Sequence, residues 1–500
     1  MEIKILNQSV LDFEGDLLIV NLFEGIKSPG GATGVVDKAL NGAITDIIKN
    51  EEITGKLGET IVFPTFGKLK AGKIMVVGLG KLDKFGIDEI RKASGSAAMA
   101  AKKAKAKKVG TIVHGAGIGG IEPEICTQAL TEGTILALYE FNVYKKQENK
   151  EIKEFAIVEM DKTKIEKIKK GVQIGRILAE SQNISRDFTN EPANNLTPEK
   201  FEKKVKEIIK DLGLNEKIKI TVLDKKEMEK LKMGALLSVA QGSENEPRFI
   251  VLEYQGGKGD LISLIGKTVT FDSGGISLKP SEGMGAMKGD MSGGGVVFAT
   301  TLALARANAK INLLTIIPGV ENMPSGKASR PGDIVRAMNG KTIEIISTDA
   351  EGRMTLADAL CYAEKNGAKI IVDIATLTGG CAIAFGDVTA AIMGNDQELI
   401  DKLLKITKQT GERMWQLPLF EEYDEKIKSD VADIKNSGGR WASPITAGMF
   451  LRHFVEKAKW IHIDIASKEF AEKDRYYQPR GATGYGVRTL FEFCKQFVKD

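Results

Sequence analysis

Short apolar runs recur along the whole chain with helix-length amphipathic stretches between them, and this alternation constrains the fold more than any other feature. In the first 160 residues the runs are "DLLIVNLF", "KIMVVGLG", "GTIVHGAG" and "FAIVEM". Strands that take turns with helices build a largely parallel sheet covered by helices. The pattern resumes near residue 191 with more glycine, in "RFIVLEY", "LISLIGKTVTF", "NLLTIIPGV", "TIEIIS", "KIIVDIATLTG" and "IHIDIA". Runs apolar on both faces belong to central strands. Between the two regions lies the Lys-rich helical stretch "DKTKIEKIKKGVQIGRILAESQNISRDF". It ends in "TNEPANNLTPEKF", where Pro192 and Pro198 punctuate and Thr197 can cap the next helix. A chain of 500 residues is too long for one core. The expected fold class is therefore α/β, with two α/β domains: a smaller N-terminal domain over 1–160, a connecting helix over 161–190, and a larger C-terminal domain over 191–500 whose central mixed sheet is flanked by helices.

Charge and cysteine usage remove several function classes. Lys plus Arg outnumber Asp plus Glu by only 71 to 67, so no overall field singles out nucleic acid or an anionic membrane as a partner. Cys126, Cys361, Cys381 and Cys494 are far apart and form no C-x-x-C pair, which argues against a disulfide framework or a zinc ribbon. The N-terminus lacks a basic start followed by an apolar block, and no apolar window is long enough to span a membrane. A cytoplasmic protein is expected.

Three motifs resemble known devices without completing them. "HGAGIGGIEP" places Gly115, Gly117 and Gly120 in a formal G-x-G-x-x-G after a strand, but Pro123 follows and Glu140 falls in a helix pattern, so a tight turn is expected there. "LIGKTVTF" ends like a phosphate-binding loop, yet Leu261 stands where the motif needs its first glycine. The run Lys102 to Lys108 reads as a solvated helix end. His114, His453 and His462 are scattered, so any metal must be held by carboxylates.

The segment "IISTDAEGRMTLADAL" supplies such carboxylates. Asp349 and Glu351 alternate with Arg353 between an apolar run and an amphipathic one. If "TIEIIS" is a central strand, the turn sits at the carboxyl end of the sheet, where ligand crevices of open α/β sheets lie. The plainer reading is that the acids cap the helix that follows. A second cluster, "IGKTVTFDSGGISLKPSEGMGAMKGDMSGGG", sets Lys267, Asp272, Lys279 and Asp290 among glycines dense enough to wrap backbone around a ligand.

Taken together, "TFDSGGISLKP", "MKGDMSGG", "NMPSGKASRPGD", "TDAEGRM" and "DIATLTGG", in this order and spacing, resemble the leucyl aminopeptidase (cytosol aminopeptidase) family of two-metal exopeptidases. "NEPANNLTP", "GERMWQLPL", "SDVADIKNSGGR" and "PRGATGYGVR" extend the resemblance over nearly all of residues 185 to 490. It implies that Lys267, Asp272, Asp290, Asp349 and Glu351 are metal ligands and that Lys279 and Arg353 are catalytic. By the same resemblance, Met287, Thr376, Leu377, Gly379 and Ala466 fall near where related enzymes place the first substrate side chain. The family pattern further implies two divalent ions per subunit, Mn²⁺ or Zn²⁺, a bicarbonate held by the arginine, a homohexamer and peptide substrates. Four departures stand out. Ser347 and Met354 replace the usual Asn and Leu, and "MSGGG" replaces a Gly followed by two alanines. "DIASKEF" puts Lys468 and Glu469 where relatives are often apolar, which leaves the side-chain preference open.

The chemistry is coherent without the resemblance. Two divalent cations bring four positive charges and the four carboxylates four negative ones, so the site closes near neutrality. Lys267 can coordinate only as the free amine, and adjacent cations favour the loss of its proton. Paired metals would share a water, lower its pKa and polarise a carbonyl, which supplies a two-metal-bound hydroxide and a Lewis acid together. Lys279 can then stabilise the oxyanion. The expected function is a metal-dependent aminopeptidase that releases an N-terminal residue, preferably leucine or another apolar one. The alternatives are a two-metal phosphoesterase and a peptidase-fold protein with a nucleic-acid-binding regulatory role.

Overall fold

The computed structural model describes residues 1–145 and 151–498. Two compact units divide the chain: Met1–Glu180 joined by Glu472–Arg480, and Ser181–Ala471 joined by the chain from Gly481 onward. The helix Ile165–Asn190 runs from one unit into the other.

The first unit contains β1 (Glu2–Leu6), β2 (Gly15–Phe23), β3 (Thr60–Pro64), β4 (Ala71–Gly80), β5 (Lys108–Thr111) and β6 (Glu154–Val158), in the order β1-β6-β5-β2-β4-β3. All neighbours are parallel except β3 and β4. Strand β2 shows why its run is apolar throughout. Leu17 and Ile19 pack into one buried cluster and Leu18 and Val20 into another, so both faces of the sheet are covered.

The second unit holds β7 (Ile218–Leu223), β8 (Arg248–Gln255), β9 (Leu261–Gly266), β10 (Thr268–Asp272), β11 (Asn312–Asn322), β12 (Ile334–Arg336), β13 (Thr342–Glu344), β14 (Ile370–Ala375), β15 (Ala390–Gly394), β16 (Met414–Gln416), β17 (Ile434–Lys435) and β18 (Lys459–Asp464). Nine of these form a mixed sheet ordered β16-β15-β18-β14-β9-β11-β8-β7, with β10 paired to β11. The centre is parallel: β18 pairs with β14, β14 with β9, and β9 with β11. Helices 292–306 and 351–365 pack on it, both buried along most of their length. The expected two-domain α/β architecture with a mixed sheet is present. One premise fails: "TIEIIS" is not a central strand, because only Thr342–Glu344 is extended and β13 belongs to a separate three-stranded sheet with β12 and β17.

Gly266 and Gly293 bring the helix 292–306 onto the sheet. A Cβ at Gly266 would come within 2.3 Å of the Gly293 carbonyl oxygen, and a Cβ at Gly293 within 2.3 Å of that of Ile374. The "MSGGG" sequence is therefore fitted to close helix-strand contact. Asp373 ties β14 to β18 by accepting from Trp460 Nε1 at 2.7 Å and pairing with His462 Nδ1 at 2.5 Å. The four cysteines are free. Lys102 pairs with Glu140, and Lys108 Nζ lies 3.8 Å from Glu154. Among the described residues no helix is long and apolar enough to cross a membrane.

His114 is buried in the loop that follows β5, with Nδ1 3.1 Å from the Asn21 amide nitrogen. That amide donates, so Nδ1 has no room for a proton, and burial pushes the imidazole pKa down to about 4. The unfolded chain, near 6.5, binds the proton first, so this contribution to stability is complete above about pH 6.5 and is lost as pH falls toward about 4. The loss amounts to on the order of 3 kcal/mol for a drop across that window. We predict that in thermal melts the wild type loses stability between about pH 6.5 and 4 more steeply than His114→Gln; parallel pH profiles would contradict the assignment.

Candidate active site

The site is assembled at the carboxyl ends of the parallel strands of the large sheet, where such sheets bind their ligands. Lys267 follows β9, Asp272 ends β10, Asn322 ends β11, Thr376 follows β14 and Asp464 ends β18. Two further segments complete it. A turn over Met284–Gly289 delivers Asp290, and the helix Glu351–Lys365 opens with Glu351.

Lys267 is the buried centre, only 3% exposed. Its Nζ lies 2.8 Å from Asp290 Oδ1, 2.8 Å from Glu351 Oε1 and 2.8 Å from the Thr376 carbonyl oxygen. Gly352 makes this possible, because a Cβ there would sit 2.6 Å from Lys267 Nζ. Burial alone would lower the lysine pKa, but the carboxylates of Asp290, Glu351 and Asp272 outweigh it and hold it above the ordinary value. Asp272, Asp290 and Glu351 are all buried, and one carboxylate oxygen from each lies within 4.8 Å of the others. Burial and the neighbouring carboxylates push Asp272 and Asp290 upward, against the opposing pull of the lysines.

Lys279 bridges the second pair of acids. Its Nζ is 2.6 Å from Asp272 Oδ2 and also pairs with Asp349 Oδ1. These carboxylates outweigh burial and keep its pKa above the usual lysine range, so it is an ammonium at neutral pH. Asp349 is the most open of the set, with a side chain 39% exposed. It does not cap the helix: the N-cap is Ala350, which offers no side-chain cap. Nor do Asp349 and Glu351 project from one extended strand, since Glu351 is already helical. The chain turns between them, and each acid meets a different lysine. Arg353 is buried and donates to the Asn436 carbonyl oxygen at 2.8 Å, while its Nε has no partner. Burial lowers its pKa to about 10, opposed by Glu351, Asp464 and Asp349, so it stays charged at neutral pH.

Residues not singled out from the sequence fix these groups. Asn322 donates to Asp272 Oδ1 at 2.8 Å and to the Thr348 carbonyl oxygen at 3.0 Å, which joins β11 to two walls of the site. Asp464 accepts from the Leu377 N–H and the Ala466 N–H, each at 3.1 Å, and from the Thr378 hydroxyl at 2.7 Å. It therefore shapes the segment holding Thr376, Leu377, Gly379 and Ala466. Met287 lies on the turn that ends at Asp290. Asn436 accepts from the Ile346 N–H at 2.8 Å and donates to the Ser347 carbonyl at 2.8 Å, closing the loop before Asp349. Asn322 ends an apolar run, and Asn436 lies in "DIKNSGG"; both are ordinary turn residues by sequence. Their side-chain partners are distant in the chain.

The donor set fits a hard divalent cation. Three buried carboxylates converge without histidine or cysteine, and Asp290 Oδ2 is buried with no hydrogen-bond partner. An unpaired buried carboxylate oxygen is costly unless a cation meets it.

Comparison with known proteins agrees with this geometry. The description "Cytosol aminopeptidase family, catalytic domain" matches residues 183–491, and the N-terminal domain of the same family matches residues 19–148. The chain belongs to the cytosol aminopeptidase family. A protein of Alkaliphilus metalliredigens named "Probable cytosol aminopeptidase" is 41% identical over 505 residues, covering 100% of each chain. One of the same name from Geobacter sulfurreducens is 43% identical over 471 residues, covering 93% of each. Among solved structures, a tomato leucine aminopeptidase variant superposes with TM-score 0.88 at 30% identity, covering 99% of this chain and 96% of that one. The bottromycin maturation enzyme in complex with Mn superposes with TM-score 0.86 at 30% identity, covering 97% and 100%. This protein is accordingly a metal-dependent aminopeptidase.

Because Asn322 donates to Asp272 Oδ1, Asn322→Ala is expected to weaken divalent-metal affinity about 10- to 100-fold with the fold intact. Calorimetric titration of metal-depleted protein with Mn²⁺ reads this directly. Unchanged affinity would show that the amide is packing only.

Proposed function

We propose that this enzyme uses two divalent cations, Mn²⁺ or Zn²⁺, to hydrolyse the N-terminal peptide bond of peptides whose first residue is apolar, leucine above all. The observation that carries the reading is the convergence of Asp272, Asp290 and Glu351 around Lys267, with Asp349 and Lys279 adjoining. Lys267, Asp272, Asp290, Asp349 and Glu351 are the ligands in this reading. Four carboxylates balance two divalent charges, and Lys267 joins them as the free amine because cations beside it disfavour its proton. Bound there, the metals supply Lewis-acid polarisation of the carbonyl and an acidified water.

The chain's own residues do the rest. Lys279, beside Asp272 and Asp349, remains an ammonium, which suits it to stabilise the negative charge that develops on the carbonyl oxygen. Arg353 has an unpartnered Nε and a fixed positive charge, which suit it to hold an anion such as bicarbonate but not to accept a proton. A bicarbonate held by Arg353 would supply a proton carrier, as the family resemblance implies. Met287, Thr376, Leu377, Gly379 and Ala466 line the side-chain position and supply no formal charge, which favours an apolar residue. Buried Asp464 keeps that wall in shape through backbone donors. A free α-amine can serve as a neutral ligand, whereas an acylated one cannot, and this is the basis of exopeptidase action. The name carried by the relatives supports a cytoplasmic location, and the family resemblance implies a homohexamer.

Leu-amide is expected to be cleaved and N-acetyl-Leu-amide to resist under the same Mn²⁺ load; equal turnover would reject amine docking. Lys279→Ala is expected to lower kcat about 100- to 1000-fold while bound metal stays unchanged, as for loss of an oxyanion donor. A proportional loss of metal would instead make Lys279 structural.

A further inference from the structure

The N-terminal unit contains a cavity of about 540 Å³ that the peptidase reading does not use. This volume is in the range of small-molecule sites. It opens at the carboxyl ends of all five parallel strands of that unit's sheet. Val10 lies beyond β1, Phe23 ends β2, Leu79 is at the end of β4, Ile112 follows β5 and Val158 ends β6. Strand order reverses there. From β2 the chain moves outward to β3 and β4, then returns across β2 to place β5 on its other side. A crevice at such a reversal is where open parallel sheets take ligands.

The walls divide into two chemistries. One wall is backbone: the loop after β5 with Gly115, Gly117 and Gly119, and Gly30 to Thr33 at the start of the nine-residue helix Gly31–Ala39. That helix has no side-chain N-cap, so its first N–H groups are left for another acceptor. Gly30 and Gly117 have neither a positive φ nor any atom within 4 Å of where a Cβ would stand. Neither backbone conformation nor protein packing requires glycine at these two positions; both border the cavity. The other wall is apolar and wet. Ile26, Val35, Ile118 and Met160 are 40%, 43%, 69% and 73% exposed around the same opening. Large apolar side chains gathered at the rim of a cleft mark a binding surface. Among the described residues no lysine or arginine lines the cavity, and Glu159, the one charged residue among those lining it, already accepts from the Asp161 N–H. An anion there must be held by backbone N–H groups, and a flat apolar group must fill the rest.

We propose that this cavity is a nucleotide site, with phosphate against the two glycine-bearing segments and the base against Ile26, Val35 and Ile118. The glycine loop does not form the dinucleotide-binding turn, since the next helix begins only at Pro123. It contributes instead from the cavity side. The proposal is independent of the peptidase chemistry, because every lining residue lies in the first unit.

Calorimetric titration of the full, metal-loaded chain with ADP, adenosine and inorganic pyrophosphate tests it. ADP is expected to bind saturably with Kd below about 1 mM, and the two fragments at least about tenfold more weakly. The double variant Gly30→Val, Gly117→Val should weaken ADP at least about tenfold while Leu-amide hydrolysis is retained. Ile118→Glu, on the exposed rim, should weaken ADP without any burden on folding. Absence of ADP binding would overturn the proposal. So would pyrophosphate binding as tightly as ADP, which would indicate a bare anion site. Adenosine binding equal to ADP would remove the phosphate contact, and undiminished ADP binding by all the variants would place the ligand elsewhere.

Discussion

Three carboxylates buried within a few ångströms of one another are untenable without positive charge among them, and the architecture of the large unit follows from meeting that demand. Asp272, Asp290 and Glu351 arrive from a strand end, a short turn and a helix start, three segments with no local reason to meet. Lys267 stands between them because Gly352 leaves room for its side chain. Removing Lys267 would leave the buried carboxylates facing one another uncompensated, which costs far more than breaking a surface pair. The arrangement is thus a structural liability that a divalent cation converts into a site.

The sheet beneath gives the site its precision. Its central strands are parallel, so their carboxyl ends lie along one edge, and consecutive segments can each deliver one functional group there. Close contact at Gly266 and Gly293 sets the height of the helix 292–306, and with it the position of Asp290 just before its first turn. Asn322, Asp464 and Asn436 then fix individual side chains and loops through hydrogen bonds. The N-terminal unit repeats the logic on a smaller sheet, where glycine-bearing loops after β2 and β5 border a cavity at the corresponding edge.

Much of this was legible in the sequence. Periodicity marked the strands and the two α/β regions, and the clustering of Lys267, Asp272, Lys279 and Asp290 among glycines marked the site. Asp349 and Glu351 are placed differently from what their spacing implies. Alternation along a strand suggested that both point to one place, but the helix begins between them and β13 lies outside the main sheet. Three-residue pairing in a side sheet and a long apolar run look alike until the partners are known. Asn322, Asn436 and Asp464 carry no sequence signal for a related reason. Their function is to bridge residues distant in the chain, and a lone Asn at a strand end carries no local pattern. The return of residues 472–480 to the first unit was equally invisible, since it depends on contacts such as that of the Tyr477 hydroxyl with Asp88 at 2.8 Å.

Anomalous diffraction from crystals of the Mn²⁺-loaded enzyme tests the central claim most directly. The account predicts two peaks in each chain, both in contact with carboxylates among Asp272, Asp290, Asp349 and Glu351, and one of them with Lys267 Nζ. A single peak, or peaks remote from these five side chains in an enzyme that still cleaves Leu-amide, would contradict it.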